Sequence, residues 1–170
     1  MLEEPIAELA QVFVALGSNI EPRLQRLQTA VKALRELSEV VTISPIYETL
    51  PVGNISQSRF LNAVVEINTT HGPLDLLHLL KVAEKRLGRI ERQRWHEREI
   101  DFDILFYEDL ILKSQELTLP HPEIQHRAFV LVPMMDLDPN FVHPVLHKNI
   151  TELLRDVDPS GVRLTDLQID

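Results

Sequence analysis

Phe60-Leu61-Asn62-Ala63-Val64-Val65-Glu66-Ile67-Asn68-Thr69 is the stretch from which the fold can be read. Side chains alternate along a strand, so Ala63, Val65 and Ile67 share one apolar side. The pattern then turns helical. From Pro73 onward, Leu76, Leu80, Ala83 and Leu87 recur as a stripe, and Gly88 suits a left-handed stop. Upstream, Val40 to Tyr47 is rich in β-branched residues and predicts another strand. An irregular segment from Thr49 to Arg59, with Pro51, Gly53, Asn54 and two serines, joins the two. Earlier still, Leu24, Leu27, Val31 and Leu34 have helical spacing, with Pro22 tolerated in the opening turn. Val12 to Leu16 is a short apolar run that Gly17-Ser18-Asn19 is expected to halt in a turn. On the far side, Glu99 to Tyr107 predicts a strand, with Leu110 to Leu112 pairing to it across Glu108-Asp109. The order is β-α-β-β-α-β followed by a helical tail. That is the ferredoxin-like α+β sandwich, with a mostly antiparallel sheet, both helices on one face and the other face free for a site.

The 170 residues fit one domain, 1–170, which buries roughly two-thirds of its unfolded surface without a staple. There is no cysteine, which excludes a disulfide framework, a thiolate zinc site and a cysteine nucleophile. A net charge of −9 argues against a globally basic nucleic-acid binder. Glu3, Glu4 and Glu8 crowd the first ten residues, unlike a signal peptide, and no apolar run approaches the roughly 20 residues of a membrane helix. A cytoplasmic protein without membrane or nucleic-acid partners is expected, as a monomer or weak homodimer.

The chemistry concentrates in Arg94-Trp95-His96-Glu97-Arg98-Glu99-Ile100-Asp101-Phe102-Asp103-Ile104. In a strand, Ile100, Phe102 and Ile104 point one way while Asp101 and Asp103 point the other, roughly 7 Å apart at their backbones. Neighbouring carboxylates repel, and a hard divalent cation resolves the conflict; Mg²⁺ takes one or two carboxylates plus substrate phosphates. A solvated polar face is the competing reading. Lys85, Arg86, Arg89, Arg92, Arg94 and Arg98 lie just upstream, among only two acids, Glu91 and Glu97. Planar guanidinium groups suit phosphate oxygens. Cations favoured by a helix C-terminus account for Lys85 and Arg86, but not for those beyond Gly88. No glycine-rich phosphate loop and no protein-kinase signature is present, so side chains would have to hold a nucleotide.

Taken in order, the residues resemble the 6-hydroxymethyl-7,8-dihydropterin pyrophosphokinase family over about Val12 to Leu154. The matching pieces are Ala15-Leu16-Gly17-Ser18-Asn19, Tyr47-Glu48-Thr49 with Pro51-Val52-Gly53, and Phe60-Leu61-Asn62-Ala63. Glu84 with Leu87-Gly88-Arg89 follows, then Arg94-Trp95, Arg98 and Ile100 to Leu105. Leu119-Pro120-His121-Pro122 and Arg127-Ala128-Phe129-Val130-Leu131 complete the set. The resemblance implies transfer of the diphosphate of ATP, the co-substrate, to the pterin hydroxymethyl group in folate biosynthesis. It carries two Mg²⁺ ions to Asp101 and Asp103. Arg89, Arg98, His121 and Arg127 fall around the ATP phosphates, with Glu84 and Ile104 nearer the nucleoside and Trp95 on a loop closing over the reactants. Phe60 and Phe129 sandwich the pterin, while Asn62 and the chain at Thr49, Pro51 and Val52 read its edge. By residue type alone, Phe60 and Phe129 also fit core aromatics, His121 a turn histidine, and Thr49 and Asn62 ordinary polar residues.

The chain departs from the family pattern at His96-Glu97, where Gly-Pro is usual, at Glu91 in place of a second arginine, and at Leu50 in place of a proline. A diverged paralogue that binds pterin or nucleotide with weak turnover is therefore the alternative expectation.

Overall fold

The computed structural model describes residues 8–50, 58–90 and 97–170. Its main sheet contains β1 (Ala10–Ser18), β2 (Glu39–Ile43), β3 (Tyr47–Thr49), β4 (Phe60–Thr69), β5 (Asp101–Tyr107) and β8 (Val162–Leu164). The order is β5-β1-β4-β3-β8, with β2 also on β4, and every pairing is antiparallel. Helices α1 (Arg23–Leu37) and α2 (Pro73–Arg86) lie on one face. Leu27, Ala30, Val31 and Leu34 of α1, and Leu76, Leu80 and Ala83 of α2, pack on Val12, Val14, Val65, Ile67, Phe102 and Ile104. Each such aliphatic side chain contributes about 1.5–3 kcal/mol by leaving water, which fixes the facing of every strand. The expected ferredoxin-like core is present.

The opposite face is not bare. Helices α3 (Ala128–Leu137) and α4 (Ile150–Arg155) cover part of it, setting Val130, Leu131, Met134, Ile150 and Leu153 against Phe13, Val64, Leu105 and Phe106. At the start of β5 on that face, Asp101 and Asp103 are half-buried. Among the described residues, no helix is long and apolar enough to cross a membrane.

Four local expectations are corrected. The first strand does not stop at Leu16: Gly17 and Ser18 continue it, paired to Asn62 and Leu61. Val40 to Tyr47 is two strands, because Pro45 has no N–H to give the ladder. At this break Ser44 bonds through its own N–H to the Val64 carbonyl, and its hydroxyl accepts from the Val64 N–H. Leu110 to Leu112 does not return to β5. Glu108, at φ 48°, turns the chain away, and β6 (Leu112–Lys113) pairs with β7 (Thr118–Leu119) instead. His121 N–H then bonds to the Leu105 carbonyl of β5. Finally, the tail is not all helical, since β8 adds to the sheet beside β3.

The β1–β5 register shifts once. Phe13 faces Phe106, yet Val14 faces Ile104, so Leu105 is a bulge residue and both Leu105 and Phe106 enter the α3–α4 core.

Candidate active site

Burial of Phe102 (6% exposed) and Ile104 (3% exposed) beneath the helices forces Asp101 and Asp103 to the other face. Across the sheet, Asp101 pairs with Gly17, and Gly17 pairs with Asn62. Asp103 is joined to Val64 through Ala15 in the next row. The two small β1 residues leave a floor between the acids of β5 and the amide of β4, roughly 10 Å apart at their backbones. A Cβ on Gly17 would sit 2.9 Å from Asn62 Oδ1 and 3.5 Å from a Phe60 ring carbon. Asn62 donates through Nδ2 to Thr49 Oγ1 at 2.5 Å. Phe60, Asn62 and Thr49 thus meet at one end of this floor.

At the other end stand the cations. Gly88, with φ 94°, ends α2 in the left-handed region and delivers Arg89 to the sheet. Arg89 pairs with Glu84 and, at 3.0 Å, with Asp101 Oδ1; Arg98 lies 3.5 Å from the same oxygen. Glu84 also accepts the Phe102 N–H at 3.2 Å, tying α2 to β5. Burial, then the Asp101 charge, pushes the Glu84 carboxyl up to about 7. The same two causes push Asp103 up to about 8, with Arg127 and Arg98 pulling the other way. A carboxyl that resists ionisation beside another is poised to gain from a cation. The donor set fits Mg²⁺, which needs only one or two carboxylates when phosphate and water oxygens complete its shell.

His121 and Arg127 border the acids. His121 Nδ1 accepts from the Glu123 N–H at 3.1 Å, so its ring is neutral with the proton on Nε2. Burial, then the Arg127 charge, lowers its pKa to about 4. Between pH 6.5 and 4 the unfolded chain binds a proton at this ring that the folded chain refuses, so His121 makes stability fall as pH falls. Glu84 and Asp103, with raised values, act oppositely over pH 8 to 4. We expect wild type to lose about 1–2 kcal/mol more than His121→Gln between pH 7 and pH 4.5 in urea titrations. Equal losses would show that the ring is not held neutral. Arg127 also lies over the Phe129 ring, 5.5 Å from its centroid.

Several expected residues stand elsewhere. Ile104 points into the helix-side core, so only its backbone, on a strand paired by β1, is left for a ligand. Glu84 reaches the site through Arg89 rather than directly. Pro51, Val52 and Trp95 lie outside the described residues.

The profile of the 7,8-dihydro-6-hydroxymethylpterin-pyrophosphokinase (HPPK) family matches residues 13–139. This chain is a member of the HPPK family. It is 38% identical over 144 residues to the 2-amino-4-hydroxy-6-hydroxymethyldihydropteridine pyrophosphokinase of Aquifex aeolicus, covering 85% of this chain and 90% of that one. It is 39% identical over 145 residues to the Haemophilus influenzae protein of the same name, covering 84% and 90%. Its fold matches the crystal structure of wild-type Plasmodium falciparum HPPK-DHPS with pteroate at a TM-score of 0.73 and 18% identity. That match covers 88% of this chain and 44% of the other, so the chain spans less than half of that structure.

Three residues near this floor have structural parts that the sequence reading did not assign. Gly17, read there as part of a turn, is a strand residue that makes room for Asn62. Asn19 is buried, bonding to both Ser58 and Arg98. Glu99, also buried, takes the Ile90 N–H at 3.3 Å instead of belonging to β5. We expect Gly17→Ala to displace the Asn62 amide and weaken pterin binding by about tenfold, about 1.4 kcal/mol, with nucleotide affinity unchanged. A fluorescence titration with pterin that shows wild-type affinity would release Asn62 from its role.

Proposed function

We propose that this protein transfers the diphosphate of ATP to the hydroxymethyl oxygen of 6-hydroxymethyl-7,8-dihydropterin, releasing AMP. The observation that carries the reading is the single row Asp101–Gly17–Asn62, with Arg89 and Arg98 on the acid and Thr49 on the amide. Phosphoryl-type transfer is mostly positioning and neutralisation of charge, and the row separates a phosphate end from a heterocycle end.

Arg89, Arg98 and Arg127 grip the polyphosphate, and neutral His121 offers its Nε2 proton to a phosphate oxygen. Glu84 positions Arg89. Asn62 can both donate and accept toward the polar rim of the pterin, between the faces of Phe60 and Phe129. Pro51, Val52 and Trp95 take the family roles at the pterin edge and over the nucleotide. Asp101 and Asp103 would hold Mg²⁺, two ions by family likeness, which would supply positive charge to neutralise the phosphates. The pterin oxygen forms its bond to the β-phosphorus as the bond from that phosphorus to the α,β-bridging oxygen breaks. The hydroxyl proton is lost to solvent or a basic neighbour, and AMP departs with the bridging oxygen.

Incubation with Mg·ATP and the hydroxymethyl dihydropterin should yield AMP and the pterin diphosphate in equal amounts. ADP as the nucleotide product, or no pterin-dependent turnover, would reject the assignment.

A further inference from the structure

We infer that Tyr47 is a positioning residue that sets, through Asp136 on α3, how the Phe129 ring is presented to the pterin. The row Asp101–Gly17–Asn62 continues one strand further, because Asn62 pairs with Tyr47 of β3. Tyr47 shares its face of β3 with Thr49, the partner of the Asn62 amide. Tyr47 is 8% exposed, and its hydroxyl donates to Asp136 Oδ2. Burial, then the bond to Asp136, raises the pKa of the phenol, so the phenol keeps its proton and the carboxylate accepts.

Asp136 lies seven residues after Phe129 in α3, within about 20° of two full helical turns, so both occupy one face of the helix. Arg127 is held from the other side. Its N–H bonds to the Ile124 carbonyl, the Ile124 N–H bonds to the His121 carbonyl, and the His121 N–H bonds to the Leu105 carbonyl of β5. Helix α3 is thus tied to β5 at its start and to β3 near its end. Val130, Leu131 and Met134 set its depth in the core, but apolar burial has no direction. The Tyr47–Asp136 bond is directional and fixes the roll of α3 about its axis. Without it α3 is free to roll about its anchored start, and the Phe129 ring turns relative to Phe60 and Asn62. Arg127 stays where the turn from β5 holds it. The loss should therefore fall on pterin and spare the nucleotide. The inference rests on the proposed function.

Calorimetry tests it, with an unreactive Mg·ATP analogue titrated alone and pterin then titrated into the saturated complex. Tyr47→Phe keeps the buried ring and removes the hydroxyl. It should weaken pterin binding about fivefold, the scale of one hydrogen bond, and leave the analogue within about twofold of wild type. Asp136→Ala, at the exposed end of the pair, should do the same. The double variant should lose no more than about fivefold, because the two side chains act through one bond. Asp136→Asn keeps an acceptor oxygen and should restore pterin affinity to within about twofold of wild type. Wild-type pterin affinity in Tyr47→Phe would overturn the inference, and so would equal losses for pterin and analogue. A wild type that binds neither ligand would instead strike at the proposed function.

Discussion

Asp101→Asn and Asp103→Asn are each expected to lower turnover at least about a thousandfold, since charge stabilisation by a bound metal is worth several kcal/mol. The loss should come without unfolding. Asp103 is held protonated by burial and by Asp101, up to about 8, so a neutral amide of the same shape relieves the folded state near pH 7. Asp103→Asn should therefore melt at a higher temperature than wild type without metal, while failing to bind Mg·ATP. Differential scanning calorimetry and a nucleotide titration with and without Mg²⁺ read the two effects separately. Retained turnover in both variants would remove the metal assignment.

Arg89→Ala should be nearly as damaging, for two reasons that Arg89→Lys can separate. Arg89 stands between Glu84 and Asp101 with only 23% of its side chain exposed, and Glu84 has 9%. Without it Glu84 is left beside Asp101 with no cation between them, which should cost about 3 kcal/mol of stability. Turnover should also fall at least about a hundredfold through lost phosphate contact. One nitrogen, Nη1, reaches both Glu84 and Asp101, so a lysine can restore the charge between them but not the remaining planar N–H donors that suit phosphate. Arg89→Lys should thus regain more than half of the lost stability and little of the lost kcat/KM. Equal recovery of both would make Arg89 a structural cation rather than a phosphate ligand.

Strand and helix order was legible because each core element has a clean period, as in Ala63, Val65 and Ile67 or Leu76, Leu80 and Ala83. The acid pair was legible for the same reason. What failed were positions where one residue type serves two ends. Gly17-Ser18-Asn19 has turn composition, yet Gly17 sits in a strand for the space it leaves and Asn19 is buried for its amide. Glu99 alternates correctly for a strand but serves as a buried acceptor. Pro45 was the available sign that β2 and β3 are separate, outweighed by the β-branched run around it. The place of β8 could not be read, since Val162 to Leu164 is too short to carry a period. Nothing in residue spacing marks Glu84 as a support for Arg89; their five-residue separation closes only because Gly88 reverses the chain.

The single extra residue at Leu105 divides one strand into two functional blocks. On the near side Asp101 and Asp103 face away from α1 and α2; past it, Phe106 can anchor α3 and α4 without displacing either aspartate. Changes that retune the anchoring aromatics therefore need not disturb ligand geometry. Deleting Leu105, by contrast, would invert the phase between the blocks: either the carboxylates would be driven beneath the first two helices, or Phe106 would be turned out of its core.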